Sequence, residues 1–334
     1  MIRIGIIGYG YWGPNIVRNF NEVEDAKVAA ICDINPSALR RFQKSNSDIM
    51  TTCSSQEIIQ SPDIDAVAVI TPVASHFQIA KAALLNGKHV FVEKPFTAKT
   101  EEAQELIELA EKRNLMIMVD HTFLFTGAVK KIKEIITNDE ALGKLYYFDS
   151  TRVNLGLFQH DVNVVWDLAP HDLSIMDYLI TERPSAVVAT GEAHVNGLED
   201  VAYLTIYFPN KMIAHINVNW LSPVKVRTTL IGGCKKMLVW NDLNADQKIR
   251  IYDKGVEVAN GEGIYDLLVS YRSGDMWVPK IDHLEALKIE AEYFVSCIQN
   301  NRHPINDGNA GLRVVRMLEC ANQSLKNKGK MVYL

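Results

Sequence analysis

Two short stretches of the chain set proton-active side chains beside apolar sequence. Glu93-Lys94-Pro95 ends the apolar run His89–Glu93, and Trp166-Asp167-Leu168-Ala169-Pro170-His171-Asp172 places a carboxylate and an imidazole four residues apart. A lysine ammonium can hydrogen-bond an oxygen on which negative charge develops, and a histidine titrates near neutrality and can take up a proton. Each also has an ordinary reading: a lysine at a strand end is commonly solvated, and a histidine near a helix start is commonly a cap or a core hydrogen-bond donor. Placement raises them above that reading. Strand C-termini of an open α/β sheet face the crevice where ligands bind, so Lys94 is positioned to reach a bound molecule.

The elements that must position these residues follow from the hydrophobic pattern. Residues 2–7 read as a strand, about Pro14–Phe20 as a helix and Val28–Cys32 as a second strand, which is a βαβ unit. The alternation continues with strands at Ala66–Thr71, His89–Glu93 and Met116–Val119 and helices at about His76–Leu85 and Glu101–Lys112. Glu101 and Glu102 at the start of that last helix, with Lys112 and Arg113 at its end, suit its dipole. Apolar strands alternating with helices imply a doubly wound parallel sheet, an α/β fold, for residues 1–121.

Beyond residue 122 the rhythm changes. Helices are expected near Ala128–Thr137 and Asp172–Leu179, with strands near Tyr146–Val153, Ala186–Ala193, Val201–Tyr207, Ile213–Val218, Val226–Ile231, Met237–Val239 and Ile249–Tyr252. Short turns such as Pro209-Asn210-Lys211 and Asp253-Lys254-Gly255 make a large, mostly antiparallel sheet the expected product. Helices near His283–Gln299 and Ala310–Leu325 close a second α/β domain over 122–334. The stretch 259–280 reads as irregular, a loop near the site or a subunit contact.

Gly8-Tyr9-Gly10-Tyr11-Trp12-Gly13 fits the GxGxxG dinucleotide fingerprint, directly after a strand and before a helix. The first glycine permits the tight turn, the second lets the backbone approach a pyrophosphate, and the third lets helix and strand pack closely. Asp33, twenty residues beyond Gly13, stands at the end of the second strand, where a carboxylate accepts from ribose hydroxyls. A carboxylate there repels a 2′-phosphate and favours NAD over NADP. Arg40 and Arg41, on the following helix, pull the other way slightly.

Composition bounds the rest. At 334 residues the chain exceeds what one hydrophobic core usually holds. A formal net charge of −5 without long like-charge runs gives no footprint for nucleic acid or an anionic membrane, so a small-molecule ligand is expected. The five cysteines are scattered, without CxxC spacing, and read as reduced thiols. No HExxH or clustered His/Cys/Asp set suggests a metal. The N-terminus lacks the form of a signal peptide and no apolar run is long enough to span a bilayer, so cytoplasm is the expected location. Asn322-Gln323-Ser324 matches a glycosylation sequon within an expected helix and is read as chance.

The GYGYWG turn, the segment Thr71-Pro72-Val73-Ala74-Ser75-His76, the EKP run at 93–95 and the Asp167/His171 pair together resemble the glucose-fructose oxidoreductase / inositol dehydrogenase / MocA family, along essentially the whole chain. The resemblance implies NAD(P)-dependent oxidation or reduction of a sugar or cyclitol carbon, with Lys94 and His171 as the catalytic pair and Asp167 assisting. It implies a cofactor site comprising Gly8, Gly10, Tyr11, Trp12, Gly13, Asp33, Thr71, Pro72, His76, Glu93 and Lys94, although the residues alone also allow His76 to be a satisfied polar side chain. It also implies a homo-oligomer, a dimer or tetramer. Arg152-Val153-Asn154-Leu155-Gly156, Val165–Leu168 and Pro279-Lys280-Ile281 further resemble the nucleotide-sugar branch, which oxidises C3 of UDP-N-acetylglucosamine or its uronic acid. Substrate contacts are then expected from Lys94, Arg152, Asn154 and His171, with Lys225, Arg227, Arg272 and Lys280 as further partners for a diphosphate. Two alternatives stand beside this: a free sugar or myo-inositol dehydrogenase, and a non-catalytic NAD-sensing regulator, against which the joint presence of Lys94, Asp167 and His171 speaks.

Overall fold

Uninterrupted apolar runs flanked by helices build the first half of the chain. A computed structural model describes residues 1–138, 141–260 and 267–334. In chain order the elements are β1 (Ile2–Ile7), α1 (Gly13–Asn21), β2 (Ala26–Cys32), α2 (Pro36–Gln43), β3 (Met50–Thr52), α3 (Ser55–Gln60), β4 (Ala66–Val69), α4 (Val73–Leu85), β5 (His89–Glu93), α5 (Thr100–Arg113) and β6 (Ile117–Asp120), then a short 3₁₀ turn at Thr122–Phe125. They continue with α6 (Gly127–Thr137), β7 (Leu145–Leu155), α7 (Val164–Leu179), β8 (Ala186–Glu192), β9 (Val201–Tyr207), β10 (Ile213–Asn219), β11 (Leu221–Gly233), β12 (Met237–Asn241), β13 (Ile249–Asn260), β14 (Leu267–Trp277), α8 (Ala286–Asn300), α9 (Gly308–Lys326) and β15 (Val332–Tyr333).

The first sheet has the order β3-β2-β1-β4-β5-β6 with every neighbouring pair parallel, the doubly wound dinucleotide-binding arrangement. Every residue of β4 and β6 is buried, because helices cover both faces of a parallel sheet. The order reverses between β1 and β4, so the glycine turn after β1 and the segment after β4 emerge together at the switch point.

The compact units are not two continuous stretches. One comprises Met1–Phe125 with Leu284–Arg316, the other Thr126–His283 with Met317–Leu334, where the sequence suggests a single division at 121/122. The reason lies in aromatic packing: Phe294 of α8 lies edge-on to Phe20 of α1 and Phe91 of β5, at 6.2 and 5.6 Å between ring centroids, and Tyr293 meets Phe125 at 5.4 Å. All three phenylalanines of this cluster are fully buried.

The second sheet runs β14-β13-β12-β11-β7-β10-β9-β8-β15. Its pairs are antiparallel except β7 with β10, which is parallel. Helix α7 packs on β7, β9 and β10. This helix starts well before the expected Asp172. Asn163 caps it by accepting from the Trp166 N–H at 3.2 Å, and Pro170, which reads as a breaker, sits inside it. The stretch 259–280 is likewise more regular than expected: β14 pairs with β13 over Leu267–Trp277, while 261–266 lie outside the described residues. The short elements β3, α3 and β15 carry too few residues to show a period.

Candidate active site

At the glycine turn, each position answers a different demand. Gly8 has φ +103°, and a Cβ there would sit 2.2 Å from the Ile70 carbonyl oxygen, so fold and packing both require glycine. A Cβ on Gly13 would meet the Gly8 oxygen at 2.9 Å. Gly10 has no left-handed φ, and a Cβ built on it meets nothing within 4 Å. The protein itself does not need glycine at 10; a group approaching the backbone from outside does. Trp12, the N-cap of α1, makes no side-chain cap bond, and with Pro14 lacking an N–H and Asn15 bonded to the Trp12 carbonyl, the Gly13 N–H is the first-turn donor left for an external acceptor such as a phosphate. Tyr11 and Trp12 are exposed and pair edge-on at 5.7 Å.

Asp33 leaves the end of β2 half-buried. Its Oδ2 accepts from the Tyr9 N–H at 2.6 Å and its Oδ1 from the Asn35 N–H at 2.7 Å. Two backbone donors thus fix the carboxylate beside the turn while each oxygen keeps a further lone pair, suited to vicinal hydroxyls. Arg40 is exposed on α2 and donates to the Ser37 hydroxyl at 2.9 Å. These residues fit a dinucleotide: an open backbone cradle, a helix start and an oriented carboxylate.

The segment after β4 is tied to the turn after β5. His76 is only 1% exposed; its Nδ1 lies 2.9 Å from the Pro95 oxygen and its Nε2 2.7 Å from the Thr71 oxygen. Burial lowers its proton affinity below the ordinary histidine range. His76 therefore links the Thr71-Pro72 segment to the Lys94-Pro95 turn, whose peptide bond is cis: the neutral ring donates its one N–H to one of the two carbonyls and packs against the other. Ser75 reinforces the segment by donating to the Thr71 hydroxyl at 2.7 Å. Glu93 is buried and Lys94 half-buried at the C-terminal edge of the sheet.

Behind Lys94 lies a group of residues that the motifs did not reveal. Asp120 is the register partner of Glu93 across β5 and β6 and accepts from the Thr122 hydroxyl. Glu290 of α8 is fully buried, accepts from the Asn306 amide at 2.9 Å, and is hydrogen-bonded to the Asp120 carboxyl. The same Asn306 amide donates to the Val119 oxygen at 2.7 Å. His121 is 1% exposed, with neither ring nitrogen within reach of a partner. Burial first, then the Lys94 and Arg313 cations, push its pKa down to about 3, so the ring is neutral. Asp120 and His121 were findable, since they end a strand as Lys94 does. Glu290, in a helix with no motif, left no signal.

In the other unit, α7 carries Asp167 and His171 one turn apart, on one face of the helix. Asp167 Oδ2 accepts from the Trp220 indole N–H at 3.0 Å, and the Ser174 hydroxyl donates to the His171 carbonyl at 2.9 Å. Next to His171, Asp172 is buried and takes the Arg152 Nε at 2.6 Å, Arg152 Nη2 at 3.2 Å and the Ser150 hydroxyl at 2.8 Å. Arg152 is therefore 5% exposed and committed to Asp172 rather than presented to a ligand. Asn154, two residues along β7, is half-buried. Of the other cations, Arg227 lies 3.5 Å from Asp242 and Arg272 3.0 Å from Asp253, whereas Lys225 and Lys280 are exposed. Among the described residues, no three His, Cys, Asp or Glu side chains gather to hold a metal, and no helix is long and apolar enough to cross a membrane.

Comparison with known proteins agrees with this geometry. A family model described as an oxidoreductase family with an NAD-binding Rossmann fold matches residues 2–121, and the Gfo/Idh/MocA C-terminal domain matches 129–238. The chain is 26% identical to UDP-N-acetylglucosamine 3-dehydrogenase of Acidithiobacillus ferrooxidans, over 94% of each chain. It is 23% identical to myo-inositol 2-dehydrogenase of Thermotoga maritima, over 98% of this chain and 97% of that one. Among solved structures, the Acidithiobacillus ferrooxidans protein superposes with a TM-score of 0.81 at 24% identity over 98% of both chains. Scyllo-inositol dehydrogenase of Lactobacillus casei, with bound NAD(H) and scyllo-inositol, gives 0.81 at 19% identity over 100% of this chain and 99% of that one. At such identities the superpositions speak to the fold. Fingerprint, sheet order and the two matched domains lead to one conclusion: the chain belongs to the glucose-fructose oxidoreductase / inositol dehydrogenase / MocA family of NAD-binding oxidoreductases.

Proposed function

We propose that this oxidoreductase is an NAD-dependent sugar dehydrogenase, and that its substrate is a nucleotide sugar oxidised at C3, UDP-N-acetylglucosamine or its uronic acid. The observation that carries the reading is the Asp167/His171 pair on one face of α7, with Asp167 held by the Trp220 indole. The nucleotide-sugar choice is supported by the relative of that activity, matched over 94% of both chains. NAD is favoured over NADP because Asp33, fixed by two backbone donors, opposes a 2′-phosphate.

Gly8, Gly10, Gly13 and Asp33 hold the dinucleotide. A bound nicotinamide supplies the acceptor for the hydride. His171 takes the proton of the substrate hydroxyl, Asp167 orients and stabilises the histidine, and Lys94 donates a hydrogen bond to the same oxygen. Secondary alcohols lie about 9 pKa units above histidine, so complete prior deprotonation would cost roughly 12 kcal/mol. Proton removal is therefore concerted with the loss of hydride, or Lys94 stabilises the growing negative charge. Since Arg152 is committed to Asp172, exposed Lys225 and Lys280 are better partners for a diphosphate. A free cyclitol or sugar is the second reading, favoured by the inositol dehydrogenase matched over 98% of this chain. We further assign the working form to a homo-oligomer.

Thermal-shift titration with NAD, NADP, UDP, UDP-N-acetylglucosamine, its uronic acid and myo-inositol tests this, because ligands of the native state raise Tm. Stabilisation by NAD and by UDP-containing ligands is expected. NAD without any UDP response moves the assignment to the free cyclitol or sugar, and no response to NAD overturns both.

A further inference from the structure

Asp120 and Glu290 stand side by side behind Lys94, and their surroundings decide how many protons they carry. Glu290 Oε1 accepts from Asn306 at 2.9 Å, and Asp120 Oδ1 accepts from Thr122. Glu290 also lies beside the Thr122 hydroxyl, whose single proton goes to Asp120, and its other neighbour is the Asp120 carboxyl. Two carboxyl oxygens can bond only through a proton, and two like charges cannot both persist in a dry interior. Glu93 on β5 adds a further negative charge; Lys94 after β5 and Arg313 on α9 are the cations, and His121 is neutral. We propose that Asp120 and Glu290 share one proton and that the resulting single negative charge positions the Lys94 ammonium, making both carboxyls positioning residues for the reaction. Burial holds Asp120 above the ordinary carboxylate range although its hydrogen bonds pull it down, and burial together with the Asp120 charge raises Glu290 further.

The pair makes an otherwise costly arrangement useful. An amide in place of the protonated carboxyl preserves the pattern, because Gln at 290 accepts from Asn306 through its oxygen and donates to Asp120 through its nitrogen. Asparagine at 120 instead moves the remaining negative charge to Glu290, and so away from the carboxyl on which the Lys94 cation acts. The two isosteric substitutions therefore separate the hydrogen-bond pattern from the place of the charge.

The role of Lys94 in turnover rests on the proposed function, so the test includes readouts that do not. Infrared spectroscopy of the full-length chain at neutral pH is expected to find a protonated-carboxyl stretch in the wild type that is missing from Glu290→Gln. Amine-reactive labelling of Lys94, followed by mass spectrometry, is expected to be about threefold or more faster in Asp120→Asn and unchanged in Glu290→Gln. With sugar and NAD, Asp120→Asn is expected to lower kcat by about tenfold or more, well beyond the effect of Glu290→Gln, while the NAD Kd stays within about threefold. A wild type without the stretch, or Lys94 labelling identical in all three proteins, overturns the proposal. Should the stretch and the labelling behave as expected while no sugar is turned over, the sugar dehydrogenase reading fails and the proton-sharing pair stands. If Asp120→Asn does not fold, Thr122→Val, which withdraws the hydroxyl from both carboxyls of the pair, is expected to change the labelling in the same direction by about twofold. No change in that variant counts against the proposal.

Discussion

Two buried polar pairs flank the residues proposed to do the chemistry, and they are compensated in opposite ways. Arg152 and Asp172, beside His171, form an ion pair in which each charge answers the other, with the Ser150 hydroxyl as a further donor. Asp120 and Glu290, behind Lys94, are two acids that only a proton can reconcile. The first is intolerant of losing a partner. The second is expected to accept an amide at 290 and to answer to pH. Burial alone thus says little about what a polar group does; the identity of its partner decides.

The largest effect expected is on turnover rather than stability. Lys94→Met or His171→Asn should lower turnover by about 10²–10⁴-fold, far more than either lowers NAD affinity or Tm. Wild-type turnover in either variant removes the catalytic assignment, and with it the functional meaning of the two flanking pairs. Arg152→Met comes next. It leaves Asp172 buried without its counter-charge and should cost about 3–5 kcal/mol in chemical denaturation, much of it regained in Arg152→Met/Asp172→Leu. A cost below about 1 kcal/mol for Arg152→Met would show that the ion pair resembles exposed ones and would break the comparison.

Smaller effects follow from pH. Glu290 has a raised proton affinity in the folded state, so its contribution is fully present below the ordinary glutamate value of 4.5 and is lost as pH rises through the raised folded value. Glu290→Gln should therefore gain stability relative to wild type as pH is raised, measured as the difference in denaturation midpoint; parallel curves at all pH would refute the shared proton. His121 works with the other sign. Its pKa is depressed from 6.5 to about 3, so stability is complete above 6.5 and falls as pH drops toward 3. His121→Phe should flatten that acid limb, provided the ring fits. Smallest of all in structural terms is Gly10→Val. A Cβ at this position meets no protein atom within 4 Å, so Tm should hold while the NAD-induced rise in Tm disappears.

Legibility in the sequence tracks how locally each feature is encoded. The parallel sheet is written in runs such as Ala66–Val69, buried on both faces, and the fingerprint needs only Gly8 to Gly13 with Asp33 further on. Helix α7 was half hidden because Pro170 looks like a stop, and its true start depends on the Asn163 cap. The commitment of Arg152 could not be read at all: a free guanidinium and one paired with an aspartate twenty residues away look alike until β7 and α7 are laid together. Glu290 is harder still, since 170 residues separate it from Asp120. Hairpin β13/β14 escaped because its length, rather than a clean alternation, defines it.

Phe294 has a consequence for how the protein is made. The ring that closes over Phe20 and Phe91 arrives 174 residues after the last strand of its own sheet. A ribosome delivering the chain from its N-terminus therefore exposes an aromatic surface throughout synthesis of the intervening unit, and chains terminated before α8 should be captured by chaperones or aggregate. Supplying residues 284–334 as a separate polypeptide would be expected to rescue such truncated products, a route to a split protein whose reassembly is reported by the quenching of exposed phenylalanine-binding dyes.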